Sequence, residues 1–112
     1  MNVHTYKTSG GKDLIIGYIE SLSKPEIIDG MSVLESFEND ELDKLNIKQW
    51  RGKVWEVYFY KHNRIFYVAI EEKDAYLLHA CRKQKGKTEK TDSDIVIKRA
   101  KELERELRKK VL

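Results

Sequence analysis

Apolar residues change their period twice along this chain, from helical to alternating and back, and the changes mark out its elements. Residues 1–6 read as a short first strand that Gly10 and Gly11 bring to an end. Leu14, Ile15, Tyr18, Ile19 and Leu22 then recur at helical spacing. Ser23-Lys24-Pro25 closes that helix and opens another, because proline fits a first helical turn and disfavours helix just before itself. Ile27, Ile28, Met31, Leu34 and Phe37 form the second stripe, with Gly30 inside it. Residues 38–43 are acidic and polar, a helix end and loop that Leu42, Leu45 and Ile47 pin to the core.

After Gly52 the period becomes two. Over 54–60, Trp55, Val57 and Phe59 alternate with Glu56, Tyr58 and Tyr60, a half-buried strand with one polar and aromatic face. Lys61-His62-Asn63 reads as a hairpin turn, and over 64–71 Phe66, Val68 and Ile70 oppose Ile65, Tyr67 and Ala69. A turn at 72–74 leads to 75–81, apolar nearly throughout, as a central strand would be. Thr91 with Asp94 three positions on resembles a capping box, and Val96, Ala100, Leu103 and Leu107 give the last helix its stripe. On its outer face Glu104 and Arg108, and Glu106 and Lys110, are spaced to pair. The order β-α-α-β-β-β-α predicts one α+β domain over 1–112. Its meander is antiparallel, its helices pack on one face of the sheet, and the other face is left for function.

Composition sharpens this. A chain of 112 residues has the size of one domain and buries enough surface for a core without staples. Its single cysteine, Cys81, excludes an intramolecular disulfide and a cysteine-based zinc cluster; within a strand pattern it reads as a small core residue. No secretory signal pattern and no apolar run of about 20 residues is present, so a cytoplasmic protein without a membrane segment is expected. The net charge of +3 hides an asymmetry: residues 1–50 carry −4 and residues 51–112 carry +7. Residues 82–90 alone hold Arg82, Lys83, Lys85, Lys87 and Lys90 against Glu89. A dense cationic loop beside an aromatic sheet face suits a phosphate backbone and its bases, with a merely solvated charge run as the plainer alternative.

Four short motifs now line up: Val54-Trp55-Glu56-Val57, Arg64-Ile65-Phe66-Tyr67, Leu77-Leu78-His79-Ala80, and a lysine-rich loop ending in Thr91-x-x-Asp94-Ile95. In that order they resemble the RelE/HigB toxin superfamily, within it the HigB-like, phage-Gp49-like branch, over residues 50–100. The resemblance implies a RelE-like fold, a small antiparallel sheet with two N-terminal helices packed on one face and a C-terminal helix. It implies the toxin of a type II toxin–antitoxin pair, and in many members a ribosome-dependent mRNA endonuclease. That reaction is attack of a ribose 2′-OH on the adjacent phosphate. It needs a base, cations for the charge gathering on phosphorus, and an acid for the leaving oxygen, with no metal or cofactor.

On that resemblance Arg64, at the start of the middle strand, is the leading candidate, since a guanidinium fork suits phosphate. Arg82 and Lys83 match the superfamily's basic position past the last strand. Glu56 and Tyr58 share the face taken as open and are candidates for proton transfer. His79 is either an acid or base of suitable pKa or a buried residue fixing the sheet. Lys85, Lys87 and Lys90 are expected to hold ribosomal RNA, and Tyr67 to stack on a base or pack in the sheet. Three positions depart from the pattern: Tyr58 where arginine is frequent, Asp92 for proline, and Cys81 for an aromatic. The implied partners are the ribosome, mRNA and an antitoxin, expected to be a helix-turn-helix protein encoded alongside. A gyrase-poisoning ParE-like toxin and a non-catalytic RNA- or protein-binding domain are the competing readings on the same fold.

Overall fold

The computed structural model describes residues 1–83 and 88–112. Asp13 begins the first helix by accepting backbone N–H bonds from Ile15 and Ile16 at 3.0 and 2.9 Å, and α1 runs over Leu14–Glu20. Pro25 lies in the first turn of α2 (Lys24–Glu38), as the sequence predicts. A strand β1 (Asn2–Thr5) precedes them, and a single 3-10 turn at Leu42–Lys44 follows. The remaining elements are β2 (Asn46–Arg51), β3 (Val54–Phe59), β4 (Asn63–Ile70), β5 (Asp74–Arg82) and α3 (Lys90–Leu107).

The α+β class and the order of elements agree with the sequence reading, with one addition. The segment expected to be a pinned connection contains β2, a sheet-edge strand. The five strands lie in the order β1-β5-β4-β3-β2. The β2–β5 part is an antiparallel meander, and β1 joins it in parallel beside β5. Tight turns with left-handed residues connect it: Gly52, then Tyr60 and Lys61, then Glu71 and Glu72. Asn63, expected in the second turn, is instead the fully buried first residue of β4.

Both faces of the sheet are covered, which corrects the expected open face. Ile15, Ile19, Val33, Leu34 and Phe37 of the first two helices pack on Val57, Phe59, Ile65, Tyr67 and Leu77. On the opposite face Val96, Ala100 and Leu103 of α3 pack on Val54, Phe66, Val68, Leu78 and Cys81. An amphipathic stripe states that a helix has a buried side and leaves undetermined which sheet face receives it. The α3 ends also differ from expectation. Its N-cap is Glu89 rather than Thr91, and the chain turns left-handed at Arg108, so Arg108 and Lys110 fall outside the helix. Glu104 instead accepts the backbone N–H groups of Val111 and Leu112 at 2.7 and 3.0 Å. That folds the C-terminal residues back onto the sheet, where Val111 is fully buried and a Cβ on Gly52 would lie 2.7 Å from Leu112.

A bulge in β5 decides which side chains face α3. Phe66 pairs with His79 but Tyr67 pairs with Leu77, so Leu78 is the extra residue. Strict alternation would place His79 beside Leu77. The bulge sends Leu77 to the face of α1 and α2 and puts His79 with Cys81 beneath α3.

Candidate functional site

At the ends of β3, β4 and β5, on the α3 face, one cluster gathers most of the polar candidates. Glu56 and Tyr58 are two apart on β3, and the Tyr58 hydroxyl donates a hydrogen bond to Glu56 Oε1. Arg64, across the ladder from Tyr58, donates to the same oxygen from Nη1 at 3.3 Å. Its guanidinium also lies 5.2 Å from the Phe66 ring centroid, and Cys81 is the neighbour of Arg64 across the β4–β5 ladder. Lys83, just past β5, holds its ammonium 4.7 Å from the centroid of the Tyr58 ring. His79 meets Asp92, in the first turn of α3, at 2.8 Å from Nε2 to Oδ1.

Exposure sorts these groups by what they can touch. The Arg64 side chain is 2% exposed and that of Glu56 5%, a buried ion pair. Tyr58 and Lys83 are half-buried and form the outer layer. Burial, followed by the hydrogen bond and charge of Glu56, raises the Tyr58 pKa, so its phenol stays protonated at neutral pH. Burial lowers the His79 pKa against the opposing pull of Asp92. Burial also pushes the Cys81 thiol up to about 11, where it is protonated and a poor nucleophile.

Arg82 is on the other side of the sheet. Its neighbour across the ladder is Asn63, and its Nη2 donates to Glu26 Oε2 at 3.1 Å. Glu26 accepts as well from Asn63 at 2.7 Å and from Ser23 at 2.7 Å, and Tyr18 donates to Asn63 at 2.6 Å. The Asn63 and Ser23 hydrogen bonds, with the charge of Arg82, hold the Glu26 carboxyl down at about 2. Arg82 and Lys83 were expected to act together; consecutive strand-end residues point to opposite faces, and the structure separates them. Tyr67 is likewise not available for stacking on a base. It is 2% exposed, lies edge-on to Phe37 at 4.8 Å, and burial lifts its hydroxyl to about 12. Lys90 is exposed and paired with Asp94 at 2.9 Å, whereas Lys85 and Lys87 lie outside the described residues.

The structure also supplies cations that the motifs missed. A cleft of about 610 Å³ opens beside Tyr58 and Lys83, and Lys44, Lys48, Lys61 and Tyr60 are among its walls. Lys48 is opposite Glu56 in the β2–β3 ladder, so locating β2 is what reveals it. Lys44 is engaged by Glu41. The signal available in the sequence was weak: Ile47 and Trp50 are the only half-buried apolar residues of β2.

Among the described residues one group has the composition of a metal site, His79, Cys81 and Asp92, whose ligand atoms lie within 4.8 Å of one another. No helix among the described residues is long and apolar enough to cross a membrane. In comparisons with known proteins, the model of a family described as phage-derived protein Gp49-like (DUF891) matches residues 18–101. No curated protein matches the chain.

Proposed function

We propose that this chain, which belongs to the phage-derived Gp49-like family, a branch of the RelE/HigB-like toxin superfamily, is a toxin that cuts mRNA on the ribosome. Membership carries the coarser part, a family associated with toxin–antitoxin toxins and hence a cognate antitoxin. The observation that favours RNA cleavage is the Tyr58–Glu56–Lys83 arrangement at the mouth of a lysine-walled cleft.

In this reading the cleft receives the phosphate backbone. Lys44, Lys48 and Lys61 attract it along the sheet end, and Lys85, Lys87 and Lys90 add contacts to ribosomal RNA. Lys83 meets the charge that gathers on the phosphorane oxygens. The Tyr58 oxygen takes the proton of the attacking 2′-OH while its own proton passes to Glu56, so a buried carboxylate acts through a phenol. As the 2′-oxygen bonds to phosphorus the P–O5′ bond breaks, and the leaving 5′-oxygen takes a proton from the Lys83 ammonium, which solvent restores. Arg64 is a positioning residue: it fixes Glu56 and touches no substrate. His79 positions too, joining β5 to the first turn of α3 through Asp92. The superfamily's frequent arginine at the Tyr58 position is absent here, and the Lys83 ammonium over the Tyr58 ring supplies a cation in its place. Work on ribosomes puts the protein in the cytoplasm, and an antitoxin neutralises it by covering the cleft or by blocking entry to the ribosome.

The burial of the strongest cation favours a second reading, a non-catalytic RNA-binding domain. The two separate in a translation reaction. Cleavage within the ribosomal A site, leaving 5′-hydroxyl ends, with naked RNA spared, is the expected result. Intact mRNA in the presence of folded protein overturns the nuclease reading, and retained RNA binding would then establish the second.

A further inference from the structure

We infer that His79, Cys81 and Asp92 form a binding site for a divalent transition metal of zinc type, a property that does not depend on RNA cleavage. The three ligand types are those zinc takes: an imidazole nitrogen, a thiolate and a carboxylate oxygen. They are contributed by two elements, β5 and the first turn of α3. His79 and Cys81, two apart on β5, share a face, and the bulge at Leu78 sets that face beneath α3 although Leu77 faces α1 and α2. In an unbulged strand His79 and Cys81 would both share the face of Leu77, away from Asp92.

The geometry is close to a coordination shell. All three ligand atoms fall within 4.8 Å of one another, with His79 Nε2 and Asp92 Oδ1 at 2.8 Å. Around a tetrahedral zinc, with bonds of about 2.0–2.3 Å, ligand atoms stand about 3.4–3.6 Å apart. The nearest pair must therefore open by somewhat more than half an ångström, and the widest close by about one. Side-chain rotation supplies both, since Asp92 is in a helix's first turn with its side chain 21% exposed. Cys81 is buried, while His79 and Asp92 reach the surface and give a metal its way in.

Charge decides whether the nearby Arg64 guanidinium forbids a cation. A thiolate and a carboxylate together neutralise a dication, and the charge of Arg64 is already balanced by Glu56 at 3.3 Å. The loaded site is itself neutral, the thiol having given up its proton to solvent. Three protein ligands leave a fourth position for water. Bound metal would replace the His79–Asp92 hydrogen bond with a firmer link between β5 and α3.

Cobalt(II) is the probe, because Cys81 is the sole cysteine and a thiolate-to-cobalt charge-transfer band can come from nowhere else. Titrating the full chain with cobalt is expected to give that near-ultraviolet band together with tetrahedral visible bands, saturating at one equivalent and abolished by zinc. Asp92→Asn and His79→Gln, verified as folded by circular dichroism, are expected to weaken binding by more than about 100-fold. That is beyond what the loss of a supporting outer partner causes. Zinc is expected to raise the melting temperature of the parent and not of Asp92→Asn. Absence of the charge-transfer band at millimolar cobalt overturns the inference, and so does a band equally strong in both variants.

Discussion

Arg64→Met tests how the interior of the site is held. The substitution removes the guanidinium and keeps an apolar side chain beside Phe66, so the main change is that Glu56 loses its ion-pair partner while still buried. The two charges lie 3.3 Å apart with side chains 2% and 5% exposed. At an effective dielectric constant of about 20 they attract by about 5 kcal/mol. Removing one member of a buried pair typically costs about 3–5 kcal/mol, because the survivor is left desolvated. Native domains have only about 5–15 kcal/mol in total. With a urea slope of about 2 kcal/mol per molar, the midpoint is expected to fall by about 2 M at unchanged slope. Glu56→Gln combined with Arg64→Met is expected to recover most of that loss, since neither residue then carries a buried charge. Equilibrium unfolding in urea, followed by tryptophan fluorescence, measures all three proteins. A loss below about 1 kcal/mol for Arg64→Met, the size found for exposed pairs, would refute the argument and return Arg64 to solvent and to direct phosphate contact.

Two further predictions concern the opposite face. A Cβ on Gly30 would meet Ile19 Cγ2 and Phe59 Cε2 at 3.0 Å, so Gly30→Ala is expected to destabilise in urea by up to about 2 kcal/mol, its helix-propensity gain of about 1 kcal/mol notwithstanding; a net gain would contradict this packing. The Glu26 pKa is depressed from 4.5 to about 2 in the fold, so its contribution is complete above about pH 4.5 and is lost as pH falls through about 2. Across that window the stability of Glu26→Gln is expected to fall less steeply than that of the parent. Parallel curves would mean that the Ser23–Glu26–Asn63–Arg82 network does not hold the proton off.

The elements with strong periodic signals were legible: the stripe of α1, the alternation of β3, and Pro25 at a helix start. Of the stripe expected for α2, Leu34 and Phe37 are buried but Ile28 and Met31 are exposed, and Val33 takes a place in the core instead. The edge strand β2 was not, because Asn46, Lys48, Gln49 and Arg51 are all exposed and an edge strand needs few apolar residues. Missing it hid Lys48 and part of the cleft wall. Side-chain direction was the second gap. One unpaired residue in β5 reverses the face of His79 relative to Leu77, and nothing local in Leu77-Leu78-His79-Ala80 announces it. Arg64 looked like a phosphate ligand by type and position, and only burial shows that it faces Glu56. Lys83 was named from its position alone, and its place over the Tyr58 ring follows from the strand-end geometry.

Tyr58 and Lys83 carry the proposed chemistry most directly. In a translation reaction with 5′-end mapping, Tyr58→Phe and Lys83→Ala are each expected to slow A-site cleavage by about 100-fold or more, the range for removing a proton-transfer group or an oxyanion contact. Arg82→Ala, altering the Glu26 network on the far face, is expected to leave the rate within the same order of magnitude. Cleavage at the parental rate by the Tyr58→Phe, Lys83→Ala double variant, together with loss of activity in Arg82→Ala, would contradict the account and move the chemistry to the other side of the sheet.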